Sequence, residues 1–283
     1  MRLRGNRAVF LAALLAAGSL AQAGGSAAVG AAGQEIRATY RVSLSAFTLG
    51  ELKVAASLNG SAYDMQADGR FSLITGMLYS ASGSTTSAGN WSKAGPRPAK
   101  FTLRFEDGKK KERRELRFTR GSVADVTIVP RKKKNARTRV PVTKDQLRNV
   151  LDPFTAAFLS VWSEAPSGDL KVCERTLPVF DGQQRFDIVL KPKRVESAGK
   201  GVDGLSGPVA VCQVKYVPIG GYRPNNKGVK FVSENEDIEV WLVSPPGSAV
   251  HLPYKIVMPT AWGTGSVTLT EFAIGTSGAR RGD

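Results

Sequence analysis

Apolar and polar residues alternate one for one along most of this chain. Ile36, Ala38, Tyr40, Val42 and Leu44 alternate with Arg37, Thr39, Arg41 and Ser43, the period of a strand with one face in a core and the other in water. Leu52, Val54, Ala56 and Leu58 repeat it, Asn59-Gly60 marks a tight turn, and Tyr63, Met65 and Ala67 carry the pattern back. Phe101–Phe105 runs into Asp107-Gly108 and returns through Leu116–Phe118, after which Arg120-Gly121 leads into Val123–Val129. Asp181-Gly182 sits between Leu177–Phe180 and Arg185–Leu190, and Val209–Val217, Asp237–Val243, Tyr254–Met258 and Ser266–Phe272 follow. This spacing predicts a meander of about a dozen strands. The expected fold is mainly β: a single antiparallel, strongly curved sheet, an open barrel or spiral.

One stretch departs from the period of two. Thr143-Lys144-Asp145-Gln146 has the spacing of a capping box, with Leu147, Val150 and Leu151 at helical intervals. Asp152-Pro153 offers a second N-cap with proline at the first helical position. Phe154, Phe158, Leu159 and Trp162 then form one apolar stripe. A short helical insert near 143–163 is therefore predicted, its stripe covering one face of the sheet or plugging one end. The same stripe is also of a kind that lines a cavity for an apolar ligand.

The N-terminus places the protein. Arg2, Arg4 and Arg7 precede an apolar run from Ala8, closed by Ala21-Gln22-Ala23, which is the layout of a cleavable secretory signal over residues 1–23. The run is too short and alanine-rich to stay as a membrane span, and no other stretch approaches the length of one. Residues 24–35 read as a flexible lead-in, 36–273 as the β-rich domain and 274–283 as a loose tail. The terminal Arg-Gly-Asp is set aside as a chance match. The expected location is the periplasm.

Export changes the reading of the two cysteines, Cys173 and Cys212. In an oxidising compartment an even pair reads as a disulfide. Zinc would want about four ligands, and a nucleophilic thiolate would want a base, whereas His251 is the single histidine. Closing that loop would restrict the unfolded chain by about 4 kcal/mol. No metal or cofactor is expected.

Charge bears on partners. The formal net charge is +16, and it gathers in Arg131, Lys132, Lys133, Lys134, Arg137 and Arg139, with Lys109–Lys111, Arg113 and Arg114 just before. Such a run is either a solvated loop or a surface for polyanions. Export removes nucleic acid as a partner, and no aromatics interleave to stack bases. What remains is anionic lipid, lipopolysaccharide or an envelope protein, each exposed cation near an anionic surface contributing about 1 kcal/mol.

Catalytic chemistry is thinly represented. There is no G-x-S-x-G, H-E-x-x-H or P-loop. His251 lies in an apolar setting that suits a structural histidine. Asp152 and Asp181 read as a helix cap and a hairpin turn, and strand alternation turns Asp237 and Glu239 outward. Two carboxylates distant in sequence are the remaining route to a hydrolase, and no enzymatic activity is expected.

Several landmarks resemble an uncharacterised family of exported proteobacterial proteins classed as a domain of unknown function. They are Tyr40 with Leu49-Gly50-Glu51, Asp152-Pro153, Cys173 with Asp181-Gly182 and Arg185, Cys212 with Tyr216 and Gly220-Gly221-Tyr222, Val240-Trp241-Leu242, and Leu252-Pro253. The resemblance spans roughly residues 36–273 and implies a periplasmic β-rich protein with no assigned activity. The Arg131–Arg139 run is outside its landmarks. The expected function is a non-enzymatic binding or scaffold protein for an anionic or amphipathic envelope component, or for a protein partner. A carrier with an apolar cavity is the alternative.

Overall fold

The computed structural model describes residues 33–277, except 76, 93, 109, 131–137, 159–164, 200, 246, 247 and 249. The signal over 1–23, most of the lead-in, Leu159, Trp162 and five residues of the basic run (Arg131, Lys132, Lys133, Lys134 and Arg137) lie outside that range. The strands are β1 (Gly33–Leu44), β2 (Phe47–Asn59), β3 (Ala62–Thr75), β4 (Met77–Ser92), β5 (Gly95–Asp107), β6 (Lys110–Thr119) and β7 (Ser122–Val129). After an irregular segment come β8 (Arg175–Phe180), β9 (Arg185–Ala198), β10 (Gly207–Gly220), β11 (Glu239–Val243), β12 (Leu252–Thr260) and β13 (Gly263–Ser277). Residues 33–35 and 274–277, expected as lead-in and tail, are strand, because β1 and β13 pair from Gly33↔Ser277 onward.

All thirteen strands belong to one antiparallel sheet in the order β7-β6-β5-β4-β3-β2-β1-β13-β12-β11-β10-β9-β8. Sheet neighbours are chain neighbours except where β1 meets β13, and β7 and β8, consecutive in the chain, stand at the two edges. Alternation in sequence becomes alternation in burial: Ile36, Ala38 and Tyr40 are buried, while Glu35, Arg37 and Arg41 are exposed. Turn chemistry fixes the register. Asn59↔Ala62 closes a two-residue loop with Gly60 at φ +56, and Thr119↔Ser122 closes another in which Arg120 and Gly121 both have positive φ.

Among the described residues the edges β7 and β8 have no strand partner on one side, and residues 148–151 close the seam. Asn149 N donates to Gly121 O at 2.7 Å, Leu151 N to Pro178 O at 2.8 Å, and Phe180 N to Leu151 O at 2.9 Å. Arg114 of β6 reaches across to Asp181 Oδ2 at 2.9 Å and to the Asp181 carbonyl at 3.1 Å. The sheet is thus curled but not closed, and its edges are latched rather than exposed.

The helical insert differs in detail from its prediction. The capping box forms, with Thr143 N donating to Gln146 Oε1 at 3.0 Å and Gln146 N to Thr143 Oγ1 at 3.4 Å. It heads only a 3₁₀ turn, Asp145–Leu147. Asn149, at φ +52, ends that turn and sends Val150 and Leu151 into the seam instead of along a helix. A true helix, α1 (Pro153–Phe158), follows. A second, α2 (Lys227–Glu234), joins β10 to β11 where no helix was predicted, capped by Asn226 Oδ1, which accepts from Val229 N at 3.0 Å. None of the described helices is long and apolar enough to cross a membrane.

Candidate functional site

The site is built on α1. This six-residue helix touches β4, β5, β8 and β12, strands far apart in the sheet order, so the sheet curls around it. Its start is set by Asp152, whose Oδ1 accepts from Phe154 N at 3.0 Å and Thr155 N at 2.9 Å. Oδ2 accepts from Ser87 Oγ at 2.8 Å and Thr155 Oγ1 at 2.7 Å. Tyr63 OH lies 3.1 Å from Thr155 Oγ1, so β3 and β4 both grip the helix start. Asp152 is fully buried. Burial pushes its pKa up, partly offset by the hydrogen bonds from Thr155, Ser87 and Phe154. This is a buried cap that fixes α1 in place.

The two sides of α1 differ in size. Phe154 and Phe158 are buried, with ring centroids 5.2 Å apart in an edge-on contact, and Phe158 meets Tyr40 edge-on at 5.6 Å. They join a core with Ile36, Val54, Met65, Phe101 and Leu116, so this half of the interior is filled by aromatic volume. Tyr40 is 1% exposed and its hydroxyl has no hydrogen-bond partner among the described residues. Burial pushes its pKa up.

Pro153, Ala156 and Ala157 form the small side, and beside them lies a cavity of about 270 Å³ that is open to solvent on one side. Its other walls are Leu177 and Val179 of β8, Phe186, Ile188 and Leu190 of β9, Val214 of β10, Val240 and Leu242 of β11, the adjoining Ile238, and Ile256 of β12. All are apolar. Leu190 and Leu242 also belong to the buried cluster around Cys173 and Cys212. These two form a disulfide, Cα atoms 5.3 Å apart, joining a 3₁₀ turn over Leu170–Cys173 to β10. The cross-link therefore staples the cavity's own half of the sheet. A space this size with almost wholly apolar walls offers little to hold ordered water and suits hydrocarbon.

The predicted residues are distributed as follows. Phe154 and Phe158 face the filled half, not the cavity, so these two residues of the stripe plug the curl. The residues that line the cavity, Ala156 and Ala157 with the inner faces of β8–β12, were not singled out, because no sequence signal says which small residues will face an unfilled space. Arg139 donates from Nη1 to Gly221 O at 2.5 Å. Three nearby cations are also engaged: Lys111 with Glu106 at 2.8 Å, Arg113 with Glu115 at 2.7 Å, and Arg114 with Glu112 and Asp181. His251 is buried.

Glu239 sits at the start of β11 on the sheet exterior. It accepts from Arg194 at 2.7 and 3.1 Å, from Lys193 at 2.8 Å and from Trp241 Nε1 at 3.0 Å. The Arg194 hydrogen bond, followed by those from Lys193 and Trp241, draws its pKa down to about 2. Arg194 and Lys255 both lie over the Trp241 ring, at 5.5 and 5.1 Å. This cluster clamps β9, β11 and β12 together from outside.

No curated protein matches the sequence. Among solved structures, the chain is similar to a β-barrel-like protein of domain of unknown function DUF1849 from Brucella abortus. The two share 11% identity with a TM-score of 0.48, over 85% of this chain and 98% of that one. Residues 39–270, nearly all of the curled sheet, match the family described as protein of unknown function DUF3108, and the chain belongs to that family.

Proposed function

We propose that this is an exported, non-enzymatic binding protein of the periplasm that holds the apolar part of an amphipathic envelope molecule in the cavity beside α1. The observation that carries the reading is the cavity: about 270 Å³ with apolar walls throughout. Cavities of roughly half that size already take up a small apolar molecule. A short alkyl chain, or the first part of a longer acyl chain, matches the space. Ala157, in its wall, is exposed, which gives such a chain a way in and leaves its polar end outside. Export is supported by the N-terminal signal pattern and by the disulfide.

The test is native mass spectrometry, with lipid extraction, of protein purified from a bacterial periplasm without detergent. The expected result is a co-purifying amphiphile at one per chain, absent from an Ala157→Phe variant that fills the cavity. A clean apo mass, with no uptake of added fatty acid, would refute the reading and leave a scaffold with an empty apolar cleft.

A further inference from the structure

The sheet order sets the β12–β13 and β1–β2 turns side by side at one end of the sheet. They are tied together. Ser45 N donates to Thr264 O at 2.7 Å. Gly263, at φ +122, lies so close that a Cβ there would stand 2.2 Å from Ser45 Oγ. Within the β12–β13 turn, Thr260 Oγ1 donates to Gly263 O at 2.7 Å and accepts from Trp262 N at 3.2 Å. This fixed turn holds Trp262 at 83% exposure, and Phe47 on its neighbour is 64% exposed. Two large apolar rings held this far into water on adjacent turns mark a contact surface.

The charge pattern says what the surface meets. Residues 42–50 and 256–270, which make these two turns, contain no charged residue. One row further from the tips the strands become charged. Arg41 stands opposite Glu51, and Glu51 opposite Arg70, with both arginines exposed. The turns at the other end carry Asp64, Arg97 and Arg120 at or near their tips. An uncharged aromatic tip backed by cations complements a bilayer interface, where rings sit at headgroup depth and cations meet phosphates. A protein partner fits less well: two rings supply about 300–500 Å², against about 800 Å² per side in a stable interface.

We propose that this rim docks the protein onto an anionic lipid bilayer, Trp262 and Phe47 entering the interface while Arg41 and Arg70 face lipid phosphates. The inference does not depend on the cavity reading. It is tested by co-sedimenting the full chain with vesicles of phosphatidylcholine alone and of phosphatidylcholine with phosphatidylglycerol. The wild type is expected to bind the anionic vesicles, and Trp262→Ser and Phe47→Ser each to weaken partition by about tenfold. Arg41→Glu and Arg70→Glu should each weaken it by about fivefold, on anionic vesicles only. Val195→Ser, at an exposed apolar position on β9, should leave partition unchanged. Three results would overturn the proposal. One is no binding by the wild type. Another is undiminished binding by the Trp262→Ser/Phe47→Ser double variant, which would assign the attraction to the 131–139 cations. The third is a dimer that Trp262→Ser converts to a monomer without changing vesicle binding, which would make the rim a contact between copies.

Discussion

The two halves of this sheet enclose the same short helix and meet opposite sides of it. Toward β1–β6 the helix presents Phe154 and Phe158, which pack against Tyr40 and its neighbours. Toward β8–β12 it presents Pro153, Ala156 and Ala157, and a cavity stays open against walls just as apolar. The strands do not differ in kind; the residues of one turn and a half of helix do. An interior can therefore be filled on one side and left receptive on the other by alternating large and small residues on a single plug. The unfilled half carries the disulfide inside and the Glu239–Arg194–Trp241 clamp outside.

The strongest way to sharpen this contrast is to truncate one side chain in each half. Phe158→Ala should destabilise by about 3–5 kcal/mol, and Ile188→Ala, whose side chain already borders empty space, by about 2 kcal/mol. Denaturant unfolding compares them directly, and equal losses would show the halves to be packed alike.

Breaking the cross-link comes next. A Cys173→Ser/Cys212→Ser variant should lose up to about 4 kcal/mol, from the 39-residue separation of the pair. Hydrogen exchange should show faster opening of β9–β11, with β1–β3 little changed.

Asp152→Ala removes the acceptor shared by Ser87, Thr155 and two backbone amides. It should cost about 3 kcal/mol and loosen α1, read as lost thermal stability. If the stability of the variant is unchanged, the helix is not held by its cap.

Enlarging a small residue tests the same contrast in reverse. Ala67→Leu, in the filled half, should cost about 2 kcal/mol through overpacking. Ala157→Leu should fall within about 0.5 kcal/mol of wild type, since its added volume enters the cavity.

The smallest effect concerns pH. The folded pKa of Glu239 is depressed to about 2 from an ordinary 4.5. Its contribution is therefore present above pH 4.5 and lost as pH falls toward 2. Being partly in solvent, it should be worth about 1 kcal/mol. The stability difference between wild type and Glu239→Gln should shrink over that window.

Much of this architecture is legible one strand at a time. The β1–β3 and β5–β7 hairpins are readable because inward residues alternate and Gly60, Gly108 and Gly121 mark the turns. β4 is not, since Met77–Ser92 is mostly Ser, Thr, Gly and Ala and shows no apolar period. Its Ser87 is nevertheless fully buried, facing Asp152. α2 was missed because its eight residues include a glycine and its apolar positions stay at least partly exposed. Asp152-Pro153 gave the helix start correctly, but Asn149's left-handed turn, which sends Val150 and Leu151 into the seam, has no local signal. The cavity was least legible. It depends on which small residues of α1 meet strands that follow 20 to 100 residues later, a long-range outcome.

The account stands most directly on one titration. A fluorescent alkyl-chain probe is added to wild type and to Ala157→Phe, with Ala67→Leu as the matched change in the filled half. Saturation at one probe per chain, abolished by Ala157→Phe and kept by Ala67→Leu, is the predicted result. No uptake by the wild type, or uptake indifferent to Ala157→Phe, would contradict the claim that the unfilled half is the binding site.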